Sequence, residues 1–216
     1  MPDIFDEVEE DLRAERARRL ARRWGGVALV LALLAVAGTG GWQGWRWWQV
    51  SEAATAATTY ITLHRGAERP DADLATAANG FAALGRESPT GYQTLARLRA
   101  AALKAETGDA AAANALWDQI ANDASADRLY RDLAILLAVS HGVDAGDPVA
   151  LGARIAPLTA ADNPWRASAR EVQALLALRR GAGDEARRLL EALAADGATP
   201  PGLRERAQRL AAGLRV

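Results

Sequence analysis

The chain has no cysteine, two histidines, one methionine and a single lysine, Lys104, in 216 residues. Without thiols there is no disulfide, no cysteine nucleophile, no iron–sulfur cluster and no cysteine zinc site; the compartment stays open, because disulfide-free proteins occur on both sides of membranes. Phe and Tyr are scarce as well, with two and three copies, and β-branched residues are few, which excludes an all-β fold. A formal net charge of −1, with no basic block beyond residue 23, gives no electrostatic footprint for nucleic acid, and no such partner is expected. What the chain has in abundance is alanine, 52 residues or about a quarter of it. Alanine loses no side-chain entropy in a helix, so the expected class is all-α.

From Trp24 to Trp45 no residue carries a charge, and the centre of that stretch is Val27-Ala-Leu-Val-Leu-Ala-Leu-Leu-Ala-Val-Ala37. About 20 such residues span a hydrocarbon core as a helix. Trp24 at one end and Trp42, Trp45, Trp47 and Trp48 at the other suit the two headgroup layers, where amphipathic rings collect. Arg16, Arg18, Arg19, Arg22 and Arg23 precede the stretch, and basic residues thin out after it, which orients the N-terminus to the cytoplasm. The expected organisation is a cytoplasmic amphipathic segment over 1–23, a transmembrane helix over 24–48, and an exported domain over 49–216, periplasmic in a Gram-negative cell. The competing reading is a signal peptide cut after Ala37. Against it stand a 23-residue leader containing seven acids and an apolar, Trp-rich stretch that continues past the cut.

The exported part repeats. Pro70-Asp71, Gly108-Asp109, Gly146-Asp147 and Gly183-Asp184 share one phase, with the aspartates spaced 38, 38 and 37. Glycine ends a helix in the left-handed conformation and the following aspartate caps the next, so each pair reads as a helix–turn–helix junction. Two further markers keep step: Phe81/Leu84, Trp117/Ile120, Ile155/Leu158 and Leu190/Leu193 on second helices, and Tyr92/Leu95 and Tyr130/Leu133 on first helices. The expected helices are 50–67, 72–85, 91–107, 110–122, 127–142, 148–159, 164–181, 184–195 and 201–214. Two helices per period of 34 to 40 is the mark of a tetratricopeptide-like α-solenoid, here about four helical hairpins with a polar capping helix.

Catalytic chemistry is not apparent. His64 and His141 read as lacking a carboxylate or second histidine at metal spacing, the junction aspartates are accounted for by capping, and Ser140 lacks the glycine two residues before it that a nucleophile elbow requires. No catalytic, cofactor or metal site is expected. Arg97, Arg99, Arg128, Arg131, Arg166 and Arg170 on first helices are the candidate partner-binding residues, to meet acidic or carbonyl groups; the alternative is a solvated face.

The opening Asp3-Ile-Phe-Asp-Glu-Val-Glu-Glu-Asp-Leu12 with its Arg-rich continuation, the span ending in Gly41-Trp-Gln-Gly-Trp-Arg-Trp-Trp48, and Asn163-Pro-Trp-Arg-Ala-Ser-Ala-Arg-Glu171 together resemble alphaproteobacterial members of the YfgM-like family. These are tetratricopeptide-like inner-membrane proteins ancillary to the Sec translocon. The resemblance implies two protein partners, the translocon channel and a membrane-anchored periplasmic chaperone, and a role in handing exported chains to folding factors. It implies no catalytic residue. The alternative is an assembly scaffold of another envelope system, in cytochrome c maturation or outer-membrane assembly.

Overall fold

The computed structural model describes the backbone of residues 4–214 and the side chains of that stretch apart from 4–25, 28, 32 and 90. The described residues form nine α-helices and no strand: α1 (Ile4–Ala67), α2 (Leu74–Glu87), α3 (Thr90–Glu106), α4 (Ala110–Ala121), α5 (Arg128–Gly142), α6 (Pro148–Ile155), α7 (Arg166–Arg179), α8 (Gly183–Ala195) and α9 (Pro201–Gly213). A 3-10 turn, Ala156–Thr159, continues α6, because Pro157 has no N–H to extend the α-helical ladder. The chain divides into two compact units, Met1–Glu52 and Ala53–Val216.

In the second unit each helix packs against its sequence neighbours, and α3, α5, α7 and α9 also touch one another in succession. The odd-numbered helices therefore form one layer and α2, α4, α6 and α8 the other, which is a solenoid of helical hairpins with α9 as its last element. The expected boundaries of α2 to α9 agree with those observed to within two residues, except that the helix expected over 148–159 ends as α-helix at Ile155 and finishes as the 3-10 turn. At its start the expectation differs. Helix α1 has no terminus near residues 48–50, since no Pro or Gly stands between Trp45 and Arg65 to end it.

The core is divided among hairpins. Phe81, Trp117, Ile120, Ile155, Leu158, Leu190 and Leu193 are all at most 1% exposed, so seven of the eight second-helix marker residues are fully buried. Phe81 sits with Ala96, Ala100 and Leu103, joined by Tyr60 and Leu63 from the end of α1. Trp117 and Ile120 meet Ala101, Ala134 and Ala138. Leu190 and Leu193 meet Ala174, Ala207 and Ala211. Large residues on the even helices against alanines on the odd ones let helices approach closely while the interior stays filled, which is how an alanine-rich chain reaches close packing.

The junctions are built less regularly than the sequence suggests. Gly108 has φ +84 and Asp109 accepts from the Ala112 N–H at 3.2 Å, as expected. Asp147 caps α6 through Val149 and Ala150, but Gly146 is not left-handed; the Leu151 side chain and the Gly142 carbonyl crowd the place a Cβ would take. At the fourth junction Gly181, with φ +75, takes the turn, Ala182 is the cap residue, and Asp184 lies inside α8 pairing with Arg187 at 3.1 Å. At the first junction Asp73, not Asp71, caps α2, accepting from the backbone of Ala75 and Thr76 and from the Thr76 hydroxyl at 2.5 Å. Those bonds, the hydroxyl first, hold the Asp73 carboxyl below the ordinary carboxylate range.

Candidate functional site

Two surfaces of this fold are unexplained by packing. One is the free face of the odd layer. On α3, the side of Ala96, Ala100 and Leu103 meets α2 and the side of Leu98, Ala101 and Ala105 meets α4 and α5. Leu95, Arg99 and Ala102 remain on a third side, spaced three and four apart as one helical stripe. One period later Leu133 and Leu137 occupy the same place on α5, and Leu175 and Leu178 follow on α7. All of these are half-buried. The even helices differ, with fully exposed residues such as Ala111, Ala115 and Gln119 on α4 and Arg188, Glu191 and Ala195 on α8. Leu137 and Leu175 also pack against the clusters around Trp117 and Ile155, so the stripe is in part the edge of the core.

Tyr92 and Tyr130 stand beside this stripe. The Tyr92 ring lies 6.3 Å from that of Tyr60 on α1. All three tyrosines are half-buried, and their hydroxyls make no hydrogen bond among the described residues.

The six candidate arginines do not form one patch. Arg97 donates to the Gly85 carbonyl at 3.1 Å and to Asp123 at 3.2 Å. The Ser125 hydroxyl and N–H, and then Arg97, hold the Asp123 carboxyl below its ordinary range. Arg166 reaches Asp196 at 2.9 Å and the Ala161 carbonyl at 3.4 Å, with Arg170 3.8 Å from the same carboxylate. Arg131 donates to the Ala124 carbonyl at 3.3 Å, and Arg128 lies exposed, 3.7 Å from Asp132. These five fasten helix ends. Arg99 alone falls on the stripe, 3.8 Å from Glu106, with its Nε buried and without an acceptor among the described residues.

Hairpins are also stapled one to the next, by residues that the sequence did not single out for this. Asn163 donates to Asp132 at 2.8 Å while its carbonyl holds the Trp165 N–H, and the Trp165 indole donates to the Leu129 carbonyl at 3.0 Å. Arg206 grips Glu171 with two donors, which raises the guanidinium further above its ordinary value, chiefly through the charged hydrogen bond. Arg154 pairs with Asp118, and Arg179 with the Val143 carbonyl. The segment Asn163–Glu171 is thus a fastening between hairpins.

The second surface is on α1. From Val27 to Val50 the large apolar residues, Trp42, Trp45, Trp47 and Trp48 included, are between 47% and 73% exposed, and they point to all sides of the helix. The Trp45 and Trp48 rings lie 5.3 Å apart at a tilt of 52°, and the Arg46 guanidinium lies 5.6 Å over Trp42. Among the described residues no helix is long and apolar enough to cross a membrane. The stretch 24–48 expected to do so contains residues 24, 25, 28 and 32, whose side chains, like those of Arg16, Arg18, Arg19, Arg22 and Arg23, lie outside the described residues.

Neither histidine sits in a reactive group. His64 does have a carboxylate one turn away, Glu68 at 3.3 Å, contrary to the sequence expectation, and His141 stacks on Trp117 at 4.8 Å. No group of three or more His, Asp or Glu able to hold a metal occurs among the described residues. A cavity of about 200 Å³ between α6, α7 and α8 is bordered by Gln173, Leu176, Arg180 and Glu185, the last two paired with each other at 3.0 Å.

Neither the curated proteins nor the solved structures contain a match to the chain. A family model described as a tetratricopeptide repeat-like domain matches residues 19–198. Domains of this type are typically non-catalytic modules for protein–protein interaction. With hairpins repeating at about 38 residues in two layers, and a match over most of its length, the chain belongs to the tetratricopeptide repeat-like domain family.

Proposed function

We propose that the chain is a membrane-tethered interaction module: α1 crosses the bacterial inner membrane with its N-terminus in the cytoplasm, and the solenoid works in the periplasm. In this reading it sits beside the Sec translocon channel and passes exported chains toward a membrane-anchored chaperone. The supporting observation is the stretch from Val27 to Val50, whose large apolar residues are exposed on every side. A helix that is apolar all round is covered by lipid or by protein rather than by water. The tryptophans after it and the arginines before it have the order that a single span requires. The translocon assignment rests on the sequence resemblance.

Photo-crosslinking in membranes from positions 45 and 92, with mass spectrometry of the products, tests both parts. Channel subunits from position 45 and a periplasmic chaperone from position 92 are the expected result. Partners from another envelope assembly would replace the translocon assignment. A mature chain beginning at Gly38, or no membrane association, would overturn the tether.

A further inference from the structure

We infer that the cavity between α6, α7 and α8 binds a small zwitterion, an α-amino acid with an aliphatic side chain. The inference stands apart from the interaction-module reading and from the membrane placement. It starts from the repeat, which fills the corresponding place in the first hairpin. Phe81 and Ile155 are 74 residues apart, as are Ala78 and Gly152; Leu103 and Leu176 are 73 apart, as are Ala100 and Gln173. Ala78 and Ala100 are fully buried in the cluster around Phe81. At the same place two repeats later, Gly152 and Gln173 border a cavity of about 200 Å³. Folding requires neither residue. Gly152 lies inside α6, its φ is not positive, and a Cβ added there meets nothing within 4 Å. Alanine, the commonest residue of this chain, would fit that position and favour the helix more. The Gln173 amide is half-buried and makes no hydrogen bond among the described residues.

The lining sets the chemistry of the ligand. Pro148, Leu176 and Leu189 give an apolar wall, of which Leu176 is itself part of the core. Arg180 and Glu185 stand at the mouth, 39% and 47% exposed, and Arg180 uses one nitrogen, Nη2, on both Glu185 oxygens at 3.0 and 3.1 Å. Its Nε and Nη1 remain for a second carboxylate. A lone anion placed there is repelled by Glu185, and a lone cation by Arg180. A zwitterion laid antiparallel to the pair puts its carboxylate on Arg180 and its ammonium on Glu185, so that each charge has an opposite neighbour. Gln173 offers the same head group a donor and an acceptor. The cavity has the volume of about seven waters at ~30 Å³ each and is smaller than the ~300 Å³ at which drug-sized sites begin, which suits a single aliphatic amino acid.

The test is isothermal titration calorimetry on the full chain in detergent micelles, which cover the apolar part of α1. Three probes share one branched apolar body: L-leucine, 4-methylpentanoate and 3-methylbutylamine. Leucine is expected to bind at least about tenfold more tightly than either of the others, because each of those lacks one charge-assisted bond. Gly152→Leu fills the cavity from α6 and should abolish leucine binding, with circular dichroism showing that helicity is kept. Glu185→Gln removes both the ammonium's partner and the repulsion of a lone anion. Leucine should then weaken by about tenfold and 4-methylpentanoate strengthen by about threefold, a reversal that a merely structural ion pair does not produce. If Gly152→Leu unfolds, Glu185→Gln, in its exposed pair, decides alone. Equal affinity for the three probes, tighter binding of a singly charged one, no binding of leucine up to about 10 mM, or unchanged leucine affinity in a folded variant overturns the inference.

Discussion

Trp117 offers a test in which two known effects oppose each other. The residue is 1% exposed at the centre of the α4 cluster, stacked on His141, and its indole N–H has no protein acceptor among the described residues. Replacing it with Ala removes the largest side chain of the core, which costs about 3 to 5 kcal/mol through lost burial and a residual cavity. Replacing it with Phe keeps a ring against His141 and most of the apolar area. The smaller ring gives up about 1 to 2 kcal/mol of burial and packing. It also eliminates an unsatisfied buried donor, whose desolvation costs about 1 to 3 kcal/mol. The terms cancel to within about 1 kcal/mol, so Trp117→Phe should be nearly neutral while Trp117→Ala is severe. Urea unfolding of the full chain followed by far-ultraviolet circular dichroism measures both. Hydrogen exchange over 110–142 is the sharper probe, because a solenoid's stability is local. A Phe variant less stable by more than about 2 kcal/mol would refute the reasoning and mean that an internal water satisfies the indole.

Gly108→Ala should lower stability by about 1 to 2 kcal/mol, because φ +84 is left-handed, whereas Gly183→Ala, in the first turn of α8 with open space around it, should raise it by up to about 1 kcal/mol; opposite shifts in melting temperature check the pair. Asp73 and Asp123 titrate below their unfolded range, so the unfolded chain takes up protons first as pH falls. Their contribution is whole above the unfolded value near pH 4 and is lost as pH falls through the folded values, so the stability gap between the wild type and an Asp73→Ala, Asp123→Ala variant should close on acidification from about pH 6 to pH 2. Arg206→Ala leaves the Glu171 carboxylate, 11% exposed, without its partner, and should cost about 1 to 3 kcal/mol, read as faster hydrogen exchange confined to α7 and α9. Arg206→Lys should recover only part of this, since one ammonium does not reproduce the two-pronged contact.

The hairpins are legible in the sequence because their determinants are local or periodic: an apolar pair on each second helix, an aspartate cap at three of the four junctions, and one period keeping both in step. Individual junctions are less so. Where glycine and aspartate occur in clusters, as in Gly181-Ala-Gly-Asp184 or Pro70-Asp-Ala-Asp73, several residues can serve the same turn, and tertiary packing picks one. Gly146 shows the same in another form. Its place before Asp147 reads as a left-handed stop, yet its φ is not positive and what marks it is crowding by the Leu151 side chain and the Gly142 carbonyl.

The candidate site is harder to read, because whether an arginine is free depends on a residue about one hairpin away. Arg97 and Asp123 are 26 residues apart, Arg166 and Asp196 30, and Glu171 and Arg206 35. Local spacing cannot pair them, and the repeat only narrows the choice. Contacts between stacked hairpins fall at or just short of one period, so an acid 26 to 36 residues from an arginine is a candidate partner in any solenoid of this pitch. Applied to the six candidates, that rule offers each of them at least one acid, and packing is what selects Asp123 for Arg97 and Asp196 for Arg166.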